Sequence, residues 1–193
     1  MKISVRPIQP FSFAALRMRS VFLEAFPPEE RPPYLFLLLR TKSPVVDYCG
    51  IFAEERPVGL AYTLKNDRAA YLFFLAIRRS DRGKGFGSEA MRLLLNRYQG
   101  LSVFLAHEEL DASADNYEER IRRHELYLRC GLRDIPFTLR EGQMTYAVMG
   151  NGGAVSPKLY RELMEPYLGR FSRYLPKTYL ADTYLYTKEA ASE

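Results

Sequence analysis

Ala69-Ala70-Tyr71-Leu72-Phe73-Phe74-Leu75-Ala76-Ile77, continued by Arg78-Arg79-Ser80-Asp81-Arg82-Gly83-Lys84-Gly85-Phe86-Gly87, is the stretch whose reading decides the fold. Its first half has no polar alternation, which predicts a central strand covered on both faces. Beyond Gly87, apolar residues at Ala90, Met91, Leu94, Leu95 and Tyr98 recur at helical spacing, and Gly100 supplies a stop. The loop between strand and helix is rich in glycine and cations. Such a junction directs several main-chain N–H groups and the positive end of a helix at one spot, and glycines let an anion approach the backbone closely. Pyrophosphate fits that chemistry.

Spacing separates this loop from the common phosphate-binding classes. A dinucleotide fingerprint needs its third glycine where Ser88 stands, and an acidic ribose ligand about twenty residues on, where the chain has His107 and Glu108. A Walker-type loop needs a Gly-Lys-Ser/Thr triplet, which is absent.

Upstream, the alternation of the first seven residues suggests a strand, and Phe11 to Phe26 reads as an amphipathic helix ended by Pro27-Pro28. A short helix from Tyr34 to about Arg40 follows. The runs Val45 to Ala53, Pro57 to Leu64 and Ala69 to Ile77 form an antiparallel meander, joined by Glu54-Glu55-Arg56 and Lys65-Asn66-Asp67-Arg68. Downstream, Leu101 to Ala106 reads as a buried strand. A helix is expected from Asp115 to Cys130, with Asp115 and Glu118 in capping-box spacing, Tyr117, Ile121 and Leu128 on one stripe, and Gly131 as cap. Strands from Arg133 to Arg140 and from Gln143 to Met149 would close the sheet. After Asn151-Gly152-Gly153 the chain turns tyrosine-rich, with one helix from Ser156 to Leu168.

Composition removes several classes. Two cysteines and two histidines leave little room for a disulfide scaffold or a closed four-ligand zinc site, so no metal is expected. No stretch approaches the roughly 18 uninterrupted apolar residues of a spanning helix, and the start does not read as a signal peptide. A cytoplasmic protein without a membrane partner is the expectation. Lys and Arg number 28 against 23 acidic residues, a net +5 that favours an anionic ligand. Nucleic acid is disfavoured as that anion, because the arginines alternate with Asp81, Glu118, Glu119 and Glu125.

Arg82-x-x-Gly85-x-Gly87 resembles the Arg/Gln-x-x-Gly-x-Gly/Ala signature of the GNAT family of N-acetyltransferases. A second segment, Asn116 followed by Tyr127-Leu128-Arg129-Cys130-Gly131-Leu132, is similar to the stretch in which an Asn and a Tyr of that family contact the cofactor; the family more often has Asn-Gly-Phe at its end. The resemblance implies an α/β fold, a mixed, mostly antiparallel sheet flanked by helices over residues 1–150; the change of composition after it makes residues 151–193 an extension expected to pack on the core. It implies acetyl-coenzyme A as acyl donor. Arg82, Gly83, Lys84, Gly85, Phe86, Gly87 and Ser88 would hold its phosphates, Leu75, Ala76 and Ile77 would pair with its pantetheine arm, and Asn116 would contact it.

Acetyl transfer needs a neutral amine and a proton for the leaving thiolate. Tyr127 is the candidate acid, since a phenol, with a pKa near about 10, carries its proton at neutral pH. The segment Tyr71 to Phe74 has no carboxylate, so Glu108 is the candidate base, with Glu29 and Glu30 on the Pro-rich elbow as candidate acceptor-binding residues. His107 titrates in a useful range but is read as structural. Cys130 precedes a helix cap on an apolar face, so direct transfer in a ternary complex is expected, to a small-molecule or protein amine. A non-catalytic acyl-coenzyme A binding or sensing module is the alternative. The tyrosine-rich end offers surface to a second copy in a homodimer or to its own domain.

Overall fold

The computed structural model describes residues 2–28, 31–141, 144–152, 155–169 and 184–187. Strands β1 (Ile3–Pro7), β2 (Val46–Ala53), β3 (Arg56–Lys65) and β4 (Ala69–Ile77) make the antiparallel meander, each paired with the next. The β3–β4 turn is closed by Asn66, whose side-chain oxygen accepts the N–H groups of Arg68 and Ala69 at 2.9 and 2.8 Å. Strand β5 (Ser102–Glu108) lies parallel to β4, and β7 (Met144–Gly150), β6 (Arg133–Glu141) and β8 (Tyr184–Thr187) complete an eight-stranded sheet in the order β1-β2-β3-β4-β5-β7-β6-β8. A parallel neighbour between antiparallel pairs requires a crossover, which helix α3 (Phe86–Arg97) supplies.

Helices cover both faces. On one side α1 (Phe13–Ala25), α2 (Tyr34–Arg40) and α5 (Pro157–Leu168) share a core with Leu60, Tyr62, Tyr71, Phe74 and Phe104. On the other, α3 and α4 (Tyr117–Arg129) close over Ala70, Leu72, Val103 and Leu105. Helix α5 belongs to the tyrosine-rich end: Leu159, Tyr160, Leu163 and Tyr167 are buried, Tyr160 sets its ring edge on Tyr71 at 5.4 Å, and Tyr167 does the same on Phe73 at 5.6 Å. Ser156 caps it, accepting the Leu159 N–H.

The register between β3 and β4 slips between Tyr62 and Thr63: Tyr62 faces Phe74 while Thr63 faces Leu72, so Phe73 is an extra residue. A bulge of this kind bends and twists its strand. Beside it, β4 loses β5, for their pairing covers only Ala69, Tyr71 and the residue between them, against Ser102 to Phe104. From Leu72 onward β4 and β5 diverge, while β5 continues on β7 through His107 and Glu108.

Several local expectations change. Phe11 stands before the helix with a left-handed φ of 62°, because Ser12 is the cap and accepts the Ala15 N–H. Strand β5 runs past Ala106, so His107 and Glu108 are strand residues. Helix α4 begins at Tyr117 without the Asp115–Glu118 box; Asn116 is its N-cap residue and makes no side-chain cap bond, its amide being drawn to a carboxylate described below. Its inward face carries Arg120, His124 and Tyr127, and Leu128 is exposed.

Candidate active site

The loop after β4 opens with Arg78 and a 3-10 turn, Arg79–Asp81, whose Arg79 N–H donates to Glu24 of α1 at 2.7 Å. Asp81 is 1% exposed and accepts from both terminal nitrogens of the Arg56 guanidinium, at 2.7 and 2.9 Å, and from the Lys84 ammonium at 2.9 Å. The hydrogen bonds from Arg56 hold its carboxyl well below the usual range. Lys84 also donates to the Ser80 carbonyl, so a backbone span is tied around one buried anion. The Arg82 guanidinium is taken by Glu119 of α4 at 2.7 Å and lies 3.3 Å from the Ile77 carbonyl. The Arg82 and Lys84 charges both already meet protein acids.

What the loop leaves open is its main chain. Gly83 and Gly85 have φ of 76° and 79°, the left-handed region where a side chain is strained, and no atom lies within 4 Å of where a Cβ would sit on either. No main-chain N–H from Gly83 to Ser88 donates to a protein acceptor among the described residues. These donors lie at the positive end of α3, an arrangement that suits an anionic, phosphate-bearing group. A cleft of about 370 Å³ adjoins them, lined by Gly85, Ser88, Glu89, Arg92, Arg129 and Cys130.

Leu75, Ala76 and Ile77 lie on the part of β4 that has left β5. Their neighbour on the other side is close: a Cβ on Gly59 would sit 2.4 Å from the Ala76 carbonyl, so only glycine allows β3 to approach there. Tyr127 is buried, its ring 5.9 Å from that of His107 on β5. Its hydroxyl has no hydrogen-bond partner among the described residues, and burial pushes its pKa up, so the phenol is protonated at neutral pH. His107 is 4% exposed; burial pushes it down to about 4, its Nδ1 lies 2.9 Å from the Glu108 carbonyl, and Nε2 is buried without a partner.

Glu108 is crowded. One oxygen lies 2.9 Å from Arg120 and 3.1 Å from the Asn116 amide, and the other 3.2 Å from Arg123. Arg120 also donates to Asn116 Oδ1 and to the Glu109 carbonyl, both at 2.7 Å. This network pins the end of β5 to α4 and fills the carboxylate chosen as base. Glu29 and Glu30 lie outside the described residues. Burial raises the thiol pKa of Cys130 and lifts that of Cys49 to about 12.

Sequence reading missed Asp81 as the brace of the loop, Glu24 on its first turn, and the fate of Glu108. Asp81 carried a legible signal, an acid inside a basic loop three residues before a lysine. Glu24 and Arg120 had none, being ordinary charged helix residues until the chain folds.

The family model for the acetyltransferase (GNAT) family matches residues 15–132. No curated protein gives a match. Solved structures share the fold: one described as an acetyltransferase of the GNAT family from Bacteroides thetaiotaomicron is 20% identical, with 90% of this chain and 99% of that one covered at a TM-score of 0.66. A Bacillus subtilis acetyltransferase in complex with CoA is 13% identical, covering 77% of this chain and 97% of that one at 0.55. The ribosomal-protein-S18-alanine N-acetyltransferase from Escherichia coli is 12% identical, covering 81% and 97% at 0.57.

Proposed function

The chain belongs to the GNAT acetyltransferase family, and on that premise we propose that it transfers an acetyl group from acetyl-coenzyme A to a primary amine, directly, in a ternary complex. The observation that carries this is the unpaired run of main-chain N–H groups from Gly83 to Ser88, beside the end of β4 that has lost its parallel partner. When bound, acetyl-coenzyme A supplies an acyl group activated as a thioester. The free N–H groups and the α3 N-terminus bind its pyrophosphate, with Gly83, Lys84, Gly85, Phe86, Gly87 and Ser88 contributing main chain, while the Arg82 N–H stays bonded to the Arg79 carbonyl. Leu75, Ala76 and Ile77 receive the pantetheine amides as an added strand. Asn116 ties the end of β5 to the start of α4 through its bonds to Glu108 and Arg120.

Tyr127 would hold a proton at its hydroxyl for the departing sulfur, and the proton shed by the nitrogen as its bond to the acetyl carbon forms and the carbon–sulfur bond breaks would pass through solvent to restore the phenol. Direct transfer is supported by the two cysteines, whose thiols are both raised by burial and are poor nucleophiles. Glu108 acts as a tether of β5 to α4, because Arg120, Arg123 and Asn116 occupy its oxygens; it serves as base only if Arg123 swings away. The acceptor is a small-molecule or protein amine, for which Glu29 and Glu30 remain candidate contacts.

Free-thiol release from acetyl-coenzyme A across a panel of primary amines tests this. Turnover with any amine supports transfer. Tight coenzyme A binding with no turnover would favour the second reading, a non-catalytic acyl-coenzyme A binding module, which the filled Glu108 carboxylate also suits.

A further inference from the structure

We propose that His107 of β5, His124 of α4 and Asp134 of β6 form a site for a divalent transition-metal ion such as zinc, with its remaining coordination positions open to water. One ligand atom from each of the three residues lies within 4.8 Å of the others. The His124 Nε2 and an Asp134 oxygen are already 3.0 Å apart, and the two imidazole centroids are 5.5 Å apart.

His107 supplies the independent sign. Its Nδ1 faces the Glu108 carbonyl at 2.9 Å, which assigns the proton to Nδ1 and leaves the Nε2 lone pair free. That nitrogen is buried and unpartnered, on a residue only 4% exposed. A buried acceptor with nothing to accept from is costly, and a metal ion would satisfy it. A ligating imidazole commonly donates its other N–H to a backbone carbonyl, the arrangement already present at Nδ1.

Zinc takes imidazole nitrogen and carboxylate oxygen at about 2.0–2.2 Å, and a tetrahedral set then has ligand atoms roughly 3.3–3.5 Å apart. The side chain of Asp134 is 62% exposed and can close the difference by rotation, while His107 stays fixed in the core. The nearby cation Arg123 is offset by Glu108 at 3.2 Å and Glu119 at 3.9 Å. Two imidazoles and one carboxylate with open positions also suit iron(II), so zinc and cobalt serve as probes of a site class. The expectation of no metal came from the scarcity of Cys and His for a closed site; a carboxylate from β6 and an open position lift that restriction.

Calorimetric titration of the full chain with zinc chloride, and visible absorption with cobalt(II), test the site without reference to acetyl transfer. Binding at one equivalent, with tetrahedral cobalt bands, is expected. His124→Gln and Asp134→Asn, both at accessible side chains, should each weaken binding by about 100-fold or more, at least the loss that outer-shell changes already cause. No binding at tens of micromolar zinc overturns the proposal. Binding unchanged in both variants also overturns it, since the ion would then be held elsewhere, for instance by a cysteine.

Discussion

Asp81, buried at the foot of the glycine loop, accepts both terminal nitrogens of the Arg56 guanidinium from the neighbouring strand, at 2.7 and 2.9 Å. This fork joins the loop to β3, and Lys84 joins it to itself through the same carboxylate. The loop conformation therefore depends on one acid more than on its many cations. Asp81→Asn keeps the shape and removes the charge. Charge-assisted hydrogen bonds contribute about 1.5–3 kcal/mol each, so a loss near 2 kcal/mol is expected, or about 4–8 °C in melting temperature. Coenzyme A affinity, read by calorimetry, should fall with it.

Acid should act on the same carboxyl. Burial alone would raise Asp47, but hydrogen bonds from Arg97 at 2.8 and 3.2 Å and from Tyr98 at 3.0 Å outweigh it, so Asp47 and Asp81 are both lowered in the folded state. An unfolded aspartate titrates near about 3.9, so their contribution is fully present above that pH and lost as pH falls below it towards the folded values. Melting temperature measured from pH 6 down to about pH 2.5 should drop most steeply below about pH 4. Asp81→Asn should flatten that descent.

Gly85→Glu should abolish coenzyme A binding while leaving the fold. There is open space at its Cβ, so the cost to stability is the left-handed φ of 79°, about 1–2 kcal/mol. The carboxylate then sits among the N–H groups proposed for pyrophosphate. Retained affinity in calorimetry, with a normal melting curve, would move the phosphate site elsewhere.

Tyr127→Phe removes a hydroxyl that has no partner among the described residues, so stability should change by less than about 0.5 kcal/mol. If that hydroxyl protonates the leaving thiolate, kcat should fall by about 10²-fold with KM for acetyl-coenzyme A nearly unchanged. An unchanged kcat would remove Tyr127 from the chemistry.

Glu108→Gln separates tether from base. A tether leaves the pH at which kcat/KM begins to fall in acid unchanged and lowers stability by about 2–3 kcal/mol, because Arg120 and Arg123 lose their shared anion. A base takes that acidic limb of the profile with it.

Much of the fold was legible because its signals are local. The apolar run Ala69 to Ile77, the glycines at 83, 85 and 87, and the helical spacing from Ala90 to Tyr98 each act through the backbone or a single element. The bulge at Phe73 was not legible: an all-apolar strand hides its own register, and the extra residue shows only against β3. Helix α4 misled for a related reason, since the face carrying Arg120, His124 and Tyr127 turns inward to partners on β5 and β6.

By itself the sequence determined the order of strands and helices as far as α5, the glycine loop between β4 and α3, and the N–H donors that loop can expose, because steric limits on φ and hydrophobic periodicity operate over a few residues; the eighth strand, Tyr184–Thr187 on β6, was not among its expectations. Only the tertiary structure decided which charges remain available. Arg82, Lys84, Glu108 and Arg120 look alike as free surface ions in sequence, yet each finds a counter-ion within 3 Å, and in all but Lys84 that partner comes from another part of the chain. Coulomb attraction follows distance in space. The net charge of +5 therefore says less about the ligand than the unpaired main chain from Gly83 to Ser88.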